Sequence, residues 1–209
     1  MIMKIAVLVS GGGTNLQAII DRIKSGYLEG IEISLVIASN DSAYALTRAS
    51  DNGIPSKVIP VKSFSTREEW DEAMLSAVKE AGAELIVLAG YLTQLGAKIT
   101  HEYSNRIINI HPALIPSFCG AGMYGIRPHE AVLKRGVKVS GATVHFVNEN
   151  YDDGPIILQK AVDVLPDDTP EVLQQRIMKE CEQDILPRAI RLIADGKVYI
   201  KDNIAYVKE

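Results

Sequence analysis

Six residues, Lys4-Ile5-Ala6-Val7-Leu8-Val9, run straight into three glycines, and a helical pattern follows. An apolar run without polar alternation is a strand covered on both faces, and such strands belong to parallel sheets flanked by helices. After Ser10-Gly11-Gly12-Gly13-Thr14-Asn15, residues Leu16, Ile19, Ile20 and Ile23 recur at helical spacing, with Gly26 as the stop. Strand, glycine loop, helix is the corner at which α/β folds offer backbone N–H groups and a helix N-terminus to a phosphate. Glycine lets the backbone approach closely. The loop has neither the lysine of a P-loop nor dinucleotide-fingerprint spacing, which favours a phosphomonoester over a nucleoside triphosphate or NAD. The plainer alternative is a tight turn that needs glycine.

The same alternation continues. Strands are predicted over 31–39, 57–59 and 84–89. Helices are predicted over 43–52, over 67–81 behind the capping box Thr66-Arg67-Glu68-Glu69, and near 95–103. This predicts an α/β fold: a doubly wound, mostly parallel sheet with helices on both faces, Rossmann-like, with antiparallel strands toward the C-terminus. The later strands are 140–147 and 155–159, and 198–207 reads as a hairpin. No repeat or linker divides residues 1–209, which are read as a single domain.

Composition narrows the function. A net charge of -4 with no basic run gives no electrostatic reason to hold nucleic acid. Cys119 and Cys181 form neither zinc spacing nor a disulfide framework, which suits a reducing compartment. No signal-peptide pattern opens the chain, and its apolar runs fall short of the ~18 residues a membrane helix needs. The expectation is a soluble cytoplasmic protein, with no nucleic acid and no membrane.

The chemistry concentrates at Ile107-Ile108-Asn109-Ile110-His111-Pro112-Ala113. Pro112 cannot donate to a ladder, so the strand ends there. Asn109 and His111 stand two apart and share one side of it. An amide and a titratable donor fixed side by side suit a developing oxyanion; loop capping is the plainer alternative. Residues 113–127 form a long irregular loop directly after this pair, functional or a surface excursion. The polar turn 148–154 carries Asp152 and Asp153, and a carboxylate there can orient an imidazole and raise its pKa; the residues do not choose between the two. His145 reads as a hydrogen-bonded core or cleft-wall histidine, and His101 and His129 as surface helix residues. Thr169-Pro170-Glu171 opens a helix to about 194, bent at Pro187. Lys179 and Glu182, three apart, are expected on one face of it, by themselves a solvated ion pair.

Three stretches together carry a resemblance. They are Val7 to Ile19 around Ser10-Gly11-Gly12-Gly13-Thr14-Asn15, then Asn109-Ile110-His111-Pro112-Ala113-Leu114-Ile115-Pro116-Ser117, and Gly141-Ala142-Thr143-Val144-His145-Phe146-Val147 with Asp152-Asp153-Gly154-Pro155-Ile156-Ile157-Leu158-Gln159. Over nearly its whole length the chain resembles the folate-dependent formyltransferases, and the first stretch points to their glycinamide ribonucleotide branch. The resemblance implies formyl transfer from 10-formyltetrahydrofolate, without a metal, by a monomer or homodimer. It implies oxyanion stabilisation by Asn109 and His111, with His111 handling protons. It selects Asp152, two before Gly154-Pro155, as the carboxylate that orients His111 and raises its pKa. Ribonucleotide binding carries over to Gly12, Gly13, Thr14, Asn15, Lys179 and Glu182. Folate binding carries over to Arg67, Leu92, Thr93, Gln94, Leu95 and Asn109. Many relatives have Arg where this chain has Thr93, and the loop 119–127 varies. A formyltetrahydrofolate hydrolase is expected to carry an extra N-terminal domain, and a tRNA formyltransferase an added C-terminal domain and a basic surface. A non-catalytic phosphosugar-binding domain would not need Asn109, His111 and Asp152 together.

Overall fold

The first strand, β1 (Met3–Val9), is flanked on both sides by parallel partners, β2 (Ile31–Ala38) and β4 (Leu85–Leu88). Ile5 to Val9 are accordingly all 0% exposed, the burial an unalternating apolar strand requires. The computed structural model describes residues 2–208. Its chain forms two units, the first ending at Asn109 and the second beginning at Ile110.

In the first unit β3 (Ser56–Val58) and β5 (Ile107–His111, of which this unit holds 107–109) complete a parallel sheet of order β3-β2-β1-β4-β5. The chain moves outward from β1 to β3 and then returns to the other side of β1. Right-handed crossovers therefore place α1 (Thr14–Lys24) and α2 (Ala45–Asp51) on one face of the sheet, and α3 (Arg67–Glu80) and α4 (Ala97–Glu102) on the other. The sheet is doubly wound, as the alternation predicts. Its switch point lies between β1 and β4, whose carboxyl ends feed the glycine loop and the loop after Gly90.

The α3 cap forms nearly as predicted. The Thr66 hydroxyl accepts from the Glu69 amide at 3.2 Å, while the Glu69 carboxylate reaches Ser65 N–H at 3.1 Å rather than that of Thr66. Trp70 is fully buried and its indole donates to the Ile59 carbonyl at 3.1 Å, a polar handle satisfied inside the core.

In the second unit β6 (Val139–Phe146) and β7 (Ile156–Asp163) pair antiparallel. β7 runs past the predicted end at 159, because Lys160, Ala161, Val162 and Asp163 continue the exposed–half-buried alternation of a strand with one wet face. Helix α5 (Arg127–Arg135) precedes this pair. The chain closes in the hairpin β8 (Val198–Lys201) and β9 (Ile204–Val207), turned by Asp202 and Asn203 at φ 52° and 60°.

The long late helix is not one α-helix bent at Pro187. It is α6 (Pro170–Ile177), a π turn (Met178–Glu182) and α7 (Gln183–Ala194). Pro187 removes a donor and crowds the carbonyl four residues back, that of Gln183, and the widened turn stands immediately ahead of it. Lys179 and Glu182 fall in that π turn. Its i→i+5 winding rotates residues three apart away from one another, so Lys179 is exposed while Glu182 is buried, not side by side on one face as expected.

Gly141 lies where β6 and β7 meet, and a methyl group on it would overlap the Lys160 carbonyl oxygen and come within 2.9 Å of Ala161 Cα and Leu114 Cδ2. Gly141→Ala is expected to cost about 3 kcal/mol or more, since backbone cannot yield as a flexible side chain does. Gly11→Ala, with nothing within 4 Å of the added methyl, is the control and shifts the denaturation midpoint little. Urea unfolding of the two variants beside the parent chain checks this.

Candidate active site

His111, the second residue of the second unit, ends β5, and it is 4% exposed. Nε2 donates to the Phe118 carbonyl at 2.9 Å, and Nδ1 lies 3.6 Å from Asp152 Oδ2. The imidazole thus has an acceptor on each side, which fixes its orientation before any ligand arrives. Burial holds it below the ordinary imidazole pKa, while the Asp152 charge and the Phe118 carbonyl pull the other way. Asp152 therefore favours the charged ring, as expected of it, but burial outweighs it.

Asp152 is held from three sides. Oδ2 accepts from the Gly120 amide at 2.8 Å and Oδ1 faces His145 Nε2 at 3.5 Å. Burial raises its pKa, and the His145 hydrogen bond, the His111 charge and the Gly120 amide together more than offset that, holding the carboxyl below its usual range. Asp152 sits in the left-handed region at φ 52°, a strained conformation for a residue with a side chain. Gly154 explains how the turn keeps it there. A methyl on Gly154 would overlap the Phe146 carbonyl, so the turn lies flush on the end of β6. Asp153, the alternative the sequence left open, instead accepts from Asn150 Nδ2 at 3.2 Å in an exposed position.

His145 is a buried wall histidine, as expected, with Nδ1 at 2.7 Å from the Phe146 carbonyl. His129 is not a surface residue. It is 0% exposed, neither ring nitrogen has a hydrogen-bond partner, and burial, with the neighbouring His111 adding to it, lowers its pKa to about 4. Pro128 stands in the first turn of α5, one residue earlier, and His129 shares the inward face with Val132, where hydrophilicity alone suggested a wet face.

The loop 113–127 supplies the Phe118 carbonyl and the Gly120 amide through its backbone, which no side-chain pattern announces. It is tethered by Thr143, whose hydroxyl donates to Ala113 O at 2.7 Å and accepts from Ile115 N–H at 3.1 Å, and by Gln159, which donates to Ile115 O at 2.9 Å. Thr143 is fully buried in β6, and a polar residue inside an apolar strand was the one signal that could have revealed it.

In the first unit the other predicted residues gather at the carboxyl ends of β1, β4 and β5. Asn109 pairs in register with Leu88. Ser10 joins two loops: its hydroxyl accepts from Leu92 N–H at 2.9 Å and from the Ser39 hydroxyl at 2.8 Å. Gly13 is left-handed at φ 69° and precedes α1, which has no side-chain cap and no acidic residue in its first turn. Thr14 and the buried Asn15 begin that helix. Arg67 donates to the Gln94 carbonyl and stacks over Trp70, 4.2 Å from the ring centroid. Leu92 is exposed, Leu95 buried, and Thr93 stands two residues after Tyr91, whose buried phenol is pushed up to about 12 by desolvation.

A pinned imidazole–carboxylate pair at the end of a parallel strand is the arrangement that proton-transferring enzymes use. Residues 3–190 match the formyl transferase family, and the chain belongs to it. It is a formyl-transferring enzyme. Among curated proteins it is 41% identical over 204 residues to the phosphoribosylglycinamide formyltransferase of Haemophilus influenzae, covering 98% of this chain and 93% of that one. Among solved structures it is similar to glycinamide ribonucleotide transformylase 1 from Symbiobacterium toebii, with a TM-score of 0.93 and 39% identity over 100% of this chain and 95% of that one. It is also similar to a formyltetrahydrofolate deformylase from Pseudomonas syringae, with a TM-score of 0.89 and 29% identity over 100% of this chain and 67% of that one.

His129 gives a pH prediction. Its folded pKa, about 4, lies below the ordinary imidazole value of 6.5, so the folded state binds this proton less readily than the unfolded chain. Stability is then full above pH 6.5 and falls as pH drops from there toward 4, by about 3 kcal/mol at most for this group. In His129→Asn the decline over that window is expected to shrink, leaving the share of His111, whose shift has the same sign. Urea unfolding at pH 7.5, 6, 5 and 4.5 measures it.

Proposed function

We propose that this chain transfers the formyl group of 10-formyltetrahydrofolate to the primary amine of 5-phosphoribosylglycinamide, giving formylglycinamide ribonucleotide and tetrahydrofolate in de novo purine biosynthesis. The observation that carries the reading is the His111–Asp152 pair, two residues beyond Asn109, in a chain 41% identical over 98% of its length to an enzyme named for that reaction.

In the proposed mechanism the amine attacks the formyl carbon, a C–N bond forms, and the carbonyl oxygen becomes an oxyanion. Asn109 and His111 stabilise it, being fixed before the charge appears. Burial starts His111 as a neutral imidazole with one N–H for its two acceptors; with Nδ1 turned to Asp152 and the Phe118 carbonyl released, Nε2 accepts the proton of the attacking ammonium. Asp152 then supports the imidazolium, which returns a proton to the departing folate nitrogen as the old C–N bond breaks. No step of this chemistry calls for a metal. Gly12, Gly13, Thr14 and Asn15 hold the phosphate and ribose, with Lys179 and Glu182 completing the ribonucleotide site. Arg67, the 92–95 backbone (Leu92, Thr93, Gln94, Leu95) and Asn109 hold the folate, and a backbone site tolerates Thr93 in place of Arg. Residues 1–209 act as a single formyltransferase domain, monomeric or homodimeric, in the cytoplasm.

The likeness to a deformylase favours one second reading, in which water replaces the amine and formate is released. Following formyl loss with and without the ribonucleotide separates the two, since loss that needs no acceptor would make the protein a hydrolase. Asp152→Asn is expected to lower kcat by about 10²–10⁴-fold while ribonucleotide binding survives. Turnover near that of the parent chain would remove Asp152 from the mechanism.

A further inference from the structure

One cation stands against the glycine loop in a place the reaction does not use. Arg48, in α2, donates from Nε to the Gly12 carbonyl at 2.8 Å and from Nη1 to Gln17 Oε1 at 3.1 Å, and its guanidinium lies over the Tyr44 ring, 5.1 Å from the centroid. It is the last of three groups in the segment 40–48 that hold successive carbonyls. Asn40 Nδ2 donates to Ser10 O at 2.9 Å, and Ala45 N–H donates to Gly11 O at 3.1 Å.

In a trans peptide the C=O of one residue and the N–H of the next point in opposite directions. Holding the carbonyls of Ser10, Gly11 and Gly12 from one side therefore turns the amides of Gly11, Gly12 and Gly13 toward the other. Successive N–H groups aimed one way form an anion-binding concavity. The loop is also pressed onto α2, where a Cβ on Gly13 would sit 2.6 Å from that of Ala45 and 3.4 Å from Arg48 Cδ. Glycines do not keep a peptide direction by themselves. Of the three holds, the one at Gly12 sets the Gly13 amide, directly ahead of α1, and a side chain alone provides it.

We propose that Arg48 is a positioning residue for the phosphate of the ribonucleotide substrate, acting through the direction of the Gly12–Gly13 peptide. This rests on the reading of residues 12–15 as the phosphate loop. The role is directional as well as electrostatic. Lysine at this position keeps the charge but puts a methylene where Nε stands.

The test compares Arg48→Met and Arg48→Lys. Arg48→Met keeps the stem that packs on Gly13 and is expected to raise the ribonucleotide KM about tenfold to a hundredfold, the worth of a hydrogen bond to a charged group. The folate KM and kcat stay close to those of the parent chain, a split that general loosening would not produce. Arg48→Lys recovers only part of the loss. An unchanged ribonucleotide KM in Arg48→Met overturns the proposal, and so does an equal loss in all three parameters, both KM values rising as kcat falls. Full recovery in Arg48→Lys overturns it as well, and should Arg48→Met fail to fold, a parental KM in Arg48→Lys alone suffices. Amide NMR with ribose 5-phosphate separates this proposal from the reading beneath it. If the Gly12 and Gly13 resonances of the parent chain do not move, the phosphate-loop reading falls and the proposal with it. If they move at the same ligand concentration in parent and Arg48→Met, only the role of Arg48 falls.

Discussion

The second unit depends on one half-buried carboxylate. A charge out of water is costly unless it is hydrogen-bonded or paired, and Asp152 is both. The Gly120 amide, His111 and His145 converge on it, and each contact fixes a different element: the loop after β5, the end of β5 itself and the wall strand β6. Asp152 reaches all three from a left-handed turn residue whose strain is borne by the Gly154 contact with Phe146. The loop is thus ordered from within by the same charge that attends the imidazole. Thr143 and Gln159 tether its beginning, and the Phe118 carbonyl returns its middle to the ring.

The first unit is held by hydrogen bonds to its backbone, from neutral groups and from the Arg48 guanidinium. In the proposed function its loops present backbone to ligands, and backbone is positioned only by partners. Ser10 serves as a hub, tying the glycine loop to the loop after β4 through Leu92 and to β2 through Ser39. Asn40, Ala45 and Arg48 then orient the peptides that follow. Rigid strands carry the register, and short polar side chains convert it into the direction of individual amides.

Folding pattern was highly legible in the sequence. The unalternating β1, the helical spacing after Gly13 and the alternation of strands and helices were enough for a doubly wound α/β sheet, because burial on both faces leaves no choice of residue. Asn109 and His111 were legible for the same reason, since strand period and Pro112 fix where they stand. The misreadings share a cause. His129 and the Lys179–Glu182 pair were judged by local hydrophilicity and ideal helical spacing, and the placement of Pro128 and a π turn ahead of Pro187 altered which face each residue takes.

By itself, then, the sequence determined the parallel sheet, the glycine corner and the strand-end placement of Asn109 and His111, all properties of local period and residue type. The choice of Asp152 over Asp153 needed a family resemblance. Tertiary structure placed that carboxylate beside His111. It also decided the pull of burial on the imidazole, the backbone groups of Phe118 and Gly120 that complete the site, and the direction of the glycine-loop amides. These depend on distances between residues far apart in the chain, and on how much water is excluded around each charge, quantities that no window of sequence contains.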